Sequence, residues 1–90
     1  MMNRGFQTLT KIIEMCSKLD RRKHGVTYFI TCFSDHVEFA RHEWIGLNVI
    51  ANKTIRPDDY SDPNFEKSIK DAYLEIALDI RKLMKKAEVA

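Results

Sequence analysis

The chain has little of what usually announces a function. Its three glycines stand far apart, so no glycine-rich loop cradles a phosphate and a nucleotide-hydrolysing enzyme is disfavoured. No uninterrupted apolar run exceeds a few residues. That is far short of the ~20 needed to cross a bilayer, so no membrane partner is expected. Residues 1–7 lack the apolar segment of a secretory signal. The two cysteines, Cys16 and Cys32, are too few for a disulfide framework and read as buried free thiols of a reducing compartment, which places the chain in the cytoplasm. There is no internal repeat, low-complexity tract or flexible linker.

What is present is ordinary for a globular chain. Apolar residues make up 44% and charged residues 31%, which indicates neither disorder nor a membrane span. Ninety residues read as a single domain, 1–90, with a modest core, since a chain this size buries somewhat over ~60% of its unfolded surface. The net charge of +2 is too small to mark a nucleic-acid binder by its sum, so the placement of charge matters more.

The middle of the chain, residues 26–52, carries the main structural signal. Val26, Phe29, Phe33, Val37, Ala40, Trp44, Leu47 and Ala51 recur every three or four residues, with Thr27, Thr31, Glu38, Arg41 and Asn48 in the complementary register. This predicts one long helix, with a bend allowed at residues 34–35. A rival reading exists, because residues 26–33 are rich in strand formers. A hairpin turning at Ser34 and Asp35 would pair Cys32 with Val37 and Ile30 with Phe39. It would also point Arg41 and Glu43 at the core, and residues 41–45 offer no good turn for a third strand. Asp35 followed by Glu38 resembles an acidic capping box, which again favours a helix.

Flanking segments are also helical in pattern. Phe6, Leu9, Ile12, Ile13, Cys16 and Leu19 define an amphipathic helix over about 6–23, ended by the cations of residues 21–23 and by Gly25. After a loop containing Pro57, Asp62 and Pro63 open a third helix over about 62–87, striped by Phe65, Ile69, Ala72, Tyr73, Ile76, Ile80, Leu83 and Met84. Leu74, Ala77 and Leu78 widen that stripe. The expected fold is therefore all-α, a three-helix antiparallel bundle with a long central helix. The alternative is α+β, with two helices on a small antiparallel sheet.

In the bundle the middle helix would be ~40 Å long and the first only ~25 Å, leaving half of the middle one bare. Trp44, Ile45, Leu47, Val49 and Ile50 fall on that half and are expected to form an interface with another copy or a larger protein. Lys18, Arg21, Arg22 and Lys23 would meet Arg81, Lys82, Lys85 and Lys86 beside the open N–H groups of the middle helix. Such an end suits nucleic acid or a phosphorylated ligand, although cations at helix ends also simply complement the dipole.

The other constellations are weaker. Glu38 and His42 have a metal-compatible spacing, and Cys32, Asp35 and His36 share a helix side, but no set of three or four ligands assembles on one face. No metal or cofactor is expected. Both thiols lie on apolar stripes, where a nucleophile would be inert, so no catalytic residue is assigned. The acidic residues Asp58, Asp59 and Asp62 lack the ligand alternation of a calcium loop. In the hairpin alternative, Phe29 and Phe33 would share a sheet face with His36, His42 and Trp44, a surface able to stack bases. The leading functional expectation is a small non-enzymatic regulator working through protein–protein contacts, such as an inhibitor or accessory factor of a mobile element. The last clause rests on size alone.

Overall fold

Alternation with a period of two, not helical spacing, organises the middle of the chain. A computed structural model describes residues 4–89; residues 1–3, part of the stretch read above as lacking a leader, and residue 90 lie outside it. Val26–Cys32 forms β1, Val37–Ile45 forms β2 and Asn48–Ile55 forms β3, a three-stranded antiparallel meander in the order β1-β2-β3. The expected helix over 26–52 and the three-helix bundle built on it are overturned: the protein is α+β. The first hairpin pairs Cys32 with Val37 and Ile30 with Phe39, as the rival reading required. The third strand belongs to neither reading.

Two local features correct the sequence argument. Ser34 and Asp35 sit in the loop between β1 and β2, which Phe33 closes by donating its N–H to the His36 carbonyl at 2.8 Å, so Asp35 caps no helix. The second turn lies at residues 46–47, just past the stretch 41–45 that lacks turn residues. Gly46 takes φ +60° and, among the described residues, no non-glycine has a positive φ, the pattern of a II′ turn that needs glycine first. Register then shifts between Glu43 and Trp44: Glu43 faces Ala51 while Trp44 faces Val49, leaving Ile50 as the bulged residue.

The helices cover one face of this sheet. Arg4–Cys16 forms α1 and Phe65–Val89 forms α3, and the two pack against each other. Leu9, Ile12 and Cys16 of α1 and Phe65, Ile69, Ala72, Ile76 and Ile80 of α3 close over Val37 and Phe39 of the central strand. Tyr28, Ile30 and Ile55 border this core from the two edge strands. Phe39, Ile12, Ile69, Ile76 and Val37 are its largest fully buried side chains, each worth about 1.5–3 kcal/mol of transfer free energy.

The first helix is shorter than its periodicity implied. It stops at Cys16, and Asp20 starts a separate turn, α2 (Arg21–His24), by accepting the Arg22 N–H at 2.8 Å. Gly25, at φ +72°, ends α2, and its carbonyl accepts the Trp44 N–H, so the sheet ladder begins at the helix stop. In α3, Leu74 and Leu78 are exposed and do not widen the buried stripe.

Two cations of the sheet face the helical layer. Arg41 donates to Asp79 of α3 from Nε at 2.7 Å and from Nη2 at 3.0 Å, and it also bonds Glu43. Tyr28 donates its hydroxyl to the same Asp79. Lys53 reaches Glu75 at 3.2 Å. Burial opposes charge on Asp79, but the hydrogen bonds from Arg41 and Tyr28 prevail and hold its carboxyl below the usual range.

Candidate functional site

Because both long helices lie on one side, the other side of the sheet has no cover. Successive strand residues point to opposite faces, so the partners of the buried positions must point outward. Phe29 and Thr31 on β1, Ala40, His42 and Trp44 on β2, and Val49 on β3 therefore share the outer face. The rings form a row. Phe29 lies 4.8 Å from His42, and His42 lies 6.1 Å from Trp44, centroid to centroid. Trp44 is held in place: its indole N–H donates to Thr27 at 2.9 Å and the Arg21 guanidinium lies over its ring at 5.3 Å. His42 Nδ1 is buried and has no hydrogen-bond partner.

The residues expected at an interface land together, on the β2–β3 hairpin and not on the bare half of a helix. Ile45 is 66% exposed, Leu47 81%, Val49 41% and Ile50 56%, whereas Trp44 is half-buried by Arg21 and its strand neighbours. The turn and the bulge explain this exposure. The hairpin runs past the end of the helical layer, so even the inward-pointing Ile45 finds nothing above it.

The expected basic residues are partly gathered, but the helix N-terminus meant to complete their site does not exist, because β1 begins there. Arg21, Arg22 and Lys23 lie on α2, which packs against α3. Arg81, Lys82, Lys85 and Lys86 are exposed near the end of α3, and Lys18 is exposed between α1 and α2. Arg21 is committed to the Gly46 carbonyl as well as to Trp44. Arg21, Arg22, Gly25, Trp44, Gly46 and Leu47 line an open groove of about 420 Å³ at this end of the sheet.

The opposite end of the sheet is acidic and contains a buried histidine. His36 Nδ1 lies 2.6 Å from Asp35 and Nε2 2.8 Å from Glu38, and the ring stacks on Phe33 at 4.5 Å with 9° between planes. The hydrogen bonds to Glu38 and then Asp35 push the imidazole pKa up, favouring the charged form. The donor atoms of Asp35, His36 and Asp59 lie within 4.8 Å of one another. Both ring nitrogens already face carboxylates, however, and Asp59 is paired with Arg56 at 3.1 Å. The cluster reads as a hydrogen-bonded clasp on the hairpin loop. Sequence spacing missed Asp59, which only the fold brings beside His36.

The thiols differ from the expectation. Cys16 is buried, which together with Asp79 pushes its pKa up to about 11, but Cys32 is exposed at the end of β1. Among the described residues no helix is long and apolar enough to cross a membrane. No family model matches the chain, and no curated protein or solved structure matches it either.

Proposed function

We propose that this is a small non-enzymatic binding protein of the cytoplasm that works through protein–protein contacts, as an inhibitor or accessory factor would. The carrying observation is the exposure of Ile45, Leu47, Val49 and Ile50 on the β2–β3 hairpin, at the Trp44 end of the sheet. The outer face beside it has the make-up of an interface centre, with the aromatic Phe29 and Trp44 between charges that lie at the ends. A contiguous apolar surface of this kind usually meets another chain. The first test is light scattering at high micromolar concentration. A mass above the 10.6 kDa of one chain is expected, returning to that value when Phe29 and Leu47 are both replaced by glutamate. A monomer throughout would count against the reading.

A second reading is favoured by the groove beside Arg21 and Arg22, which adjoins the cations of α2 and so suits nucleic acid or a phosphorylated ligand. Binding of a labelled oligonucleotide would then fall steeply with salt, because each neutralised phosphate releases counterions. Replacing Arg22, Lys85 and Lys86 with glutamate would abolish it. Unaltered binding by that variant removes this reading.

A further inference from the structure

Resting on the protein-contact reading above, we propose that the outer face of the sheet pairs with the same face of a second copy, about a twofold axis perpendicular to the strands. The argument starts from the distribution of charge along the sheet. The outward positions of the paired strands hold no lysine or arginine, and Glu38 is their one acid. Charge collects at the two ends instead. Arg21 and Arg22 flank Trp44 at one end, while at the other Asp35, Glu38 and Asp59 outnumber the two cations among them, His36 and Arg56, and leave that end negative. Trp44 and Glu38 are six residues apart on β2, a separation of roughly 20 Å at the strand rise.

Two identical faces can meet about an axis parallel to the strands or perpendicular to them. A parallel axis sets arginine against arginine and carboxylate against carboxylate. A perpendicular axis reverses the strands, so the basic end of each copy lies over the acidic end of the other, twice per dimer. The pairing is self-complementary, as a twofold contact must be. Midway between Trp44 and Glu38 the axis meets the Phe29–His42 contact. There Phe29 is 49% exposed, and Ala40, small and directly across from it, leaves room for the opposing ring. Sheets stacked face to face sit about 10 Å apart with such side chains interleaved.

A single-stranded nucleic acid is the less favoured occupant. Phe33 already lies flat on His36, Arg21 covers one face of Trp44, and the strands present no outward cation to follow a phosphate chain.

The test uses the full chain and two opposite charge reversals. Sedimentation of the wild type from about 10 to about 500 µM is expected to show a monomer–dimer equilibrium. Arg22→Glu alone and Glu38→Lys alone each place like charges across both ends, and each is expected to weaken the dimer by about tenfold or more. An equimolar mixture restores it, because in the mixed dimer every reversed residue faces the other reversal or two native partners meet. If the His36 imidazole titration, followed by NMR, shows that Glu38→Lys disturbs the clasp, Thr31→Lys puts a cation at the same end and repeats the test. A mixture no tighter than either variant alone overturns the proposed arrangement. A dimer that survives Phe29→Glu but is lost on changing Ile45 and Leu47 overturns the sheet pairing and leaves the protein-contact reading standing. A wild-type monomer at the highest concentration overturns both, and oligo-dT binding by that monomer would assign the face to nucleic acid.

Discussion

Asp79 of α3 holds Arg41 of the central strand with both carboxylate oxygens, at 2.7 and 3.0 Å, across the boundary between the sheet and the helical layer. Each side chain is about four-fifths buried, at 20% and 23% exposure, so neither has water as a ready substitute partner. Asp79→Asn is expected to lower stability by about 2–3 kcal/mol, somewhat below the value for a fully buried pair. Replacing both residues, Arg41→Met with Asp79→Leu, recovers most of that. The sign with pH follows from the depressed Asp79 pKa: the contribution is present above the unfolded carboxyl value and is lost as pH falls through the folded one. Urea unfolding of the three proteins at neutral and acid pH checks both statements. An unchanged midpoint in Asp79→Asn would refute them.

The His36 clasp works in the opposite direction with pH. Its folded pKa is raised above the ordinary 6.5 by Glu38 and Asp35, so its stabilising effect is complete below that value and fades as pH rises through the folded pKa. Melting temperature is therefore expected to fall between mildly acid and mildly alkaline buffer, and the His36→Gln variant to lose that dependence. The imidazole proton titration, followed by NMR, gives the pKa directly. A midpoint below the ordinary value would show the clasp to be absent in solution.

The two thiols are expected to report folding separately. Exposed Cys32 reacts at once with a disulfide reagent, while Cys16, buried and with its pKa pushed up to about 11, reacts only as the chain opens. One thiol in the fast phase and one in denaturant-dependent slow phase is the expected count. Two fast thiols would contradict the packing of α1.

Phe39 and Phe29 lie on opposite faces of the same hairpin and offer a direct test of which face is inward. Phe39→Ala removes a fully buried ring and is expected to cost about 3–5 kcal/mol. Phe29→Ala, measured at low micromolar concentration where monomers dominate, is expected to cost about 1 kcal/mol or less. Comparable losses would mean that the outer face is covered within one chain.

Parts of this architecture are legible in the sequence and parts are not, for reasons that can be located. The α3 stripe is readable because Phe65, Ile69, Ala72, Ile76 and Ile80 serve a single buried face. Residues 26–52 mislead because the sheet is apolar on both faces. Phe29, Phe33 and Trp44 point outward while Val26 and Val37 are buried, and together the two sets mimic a helical spacing. Local pattern disfavours the hairpin because pairing turns Arg41 inward. It does turn inward, but its partner Asp79 lies 38 residues later on another element, where local pattern has no reach. The interface residues Ile45, Leu47, Val49 and Ile50 stood out as apolar without an evident partner, though on the wrong element. The acidic end, with Asp59 beside His36, depends on a loop approach that no spacing encodes.

The one-sided arrangement of the helices has a practical corollary. Since the outward strand positions carry no lysine, amine coupling to a sensor chip tethers the molecule through Lys11, Lys67, Lys70 and their neighbours on the helical side. No coupling point then lies on the aromatic surface itself, which stays open to a captured analyte.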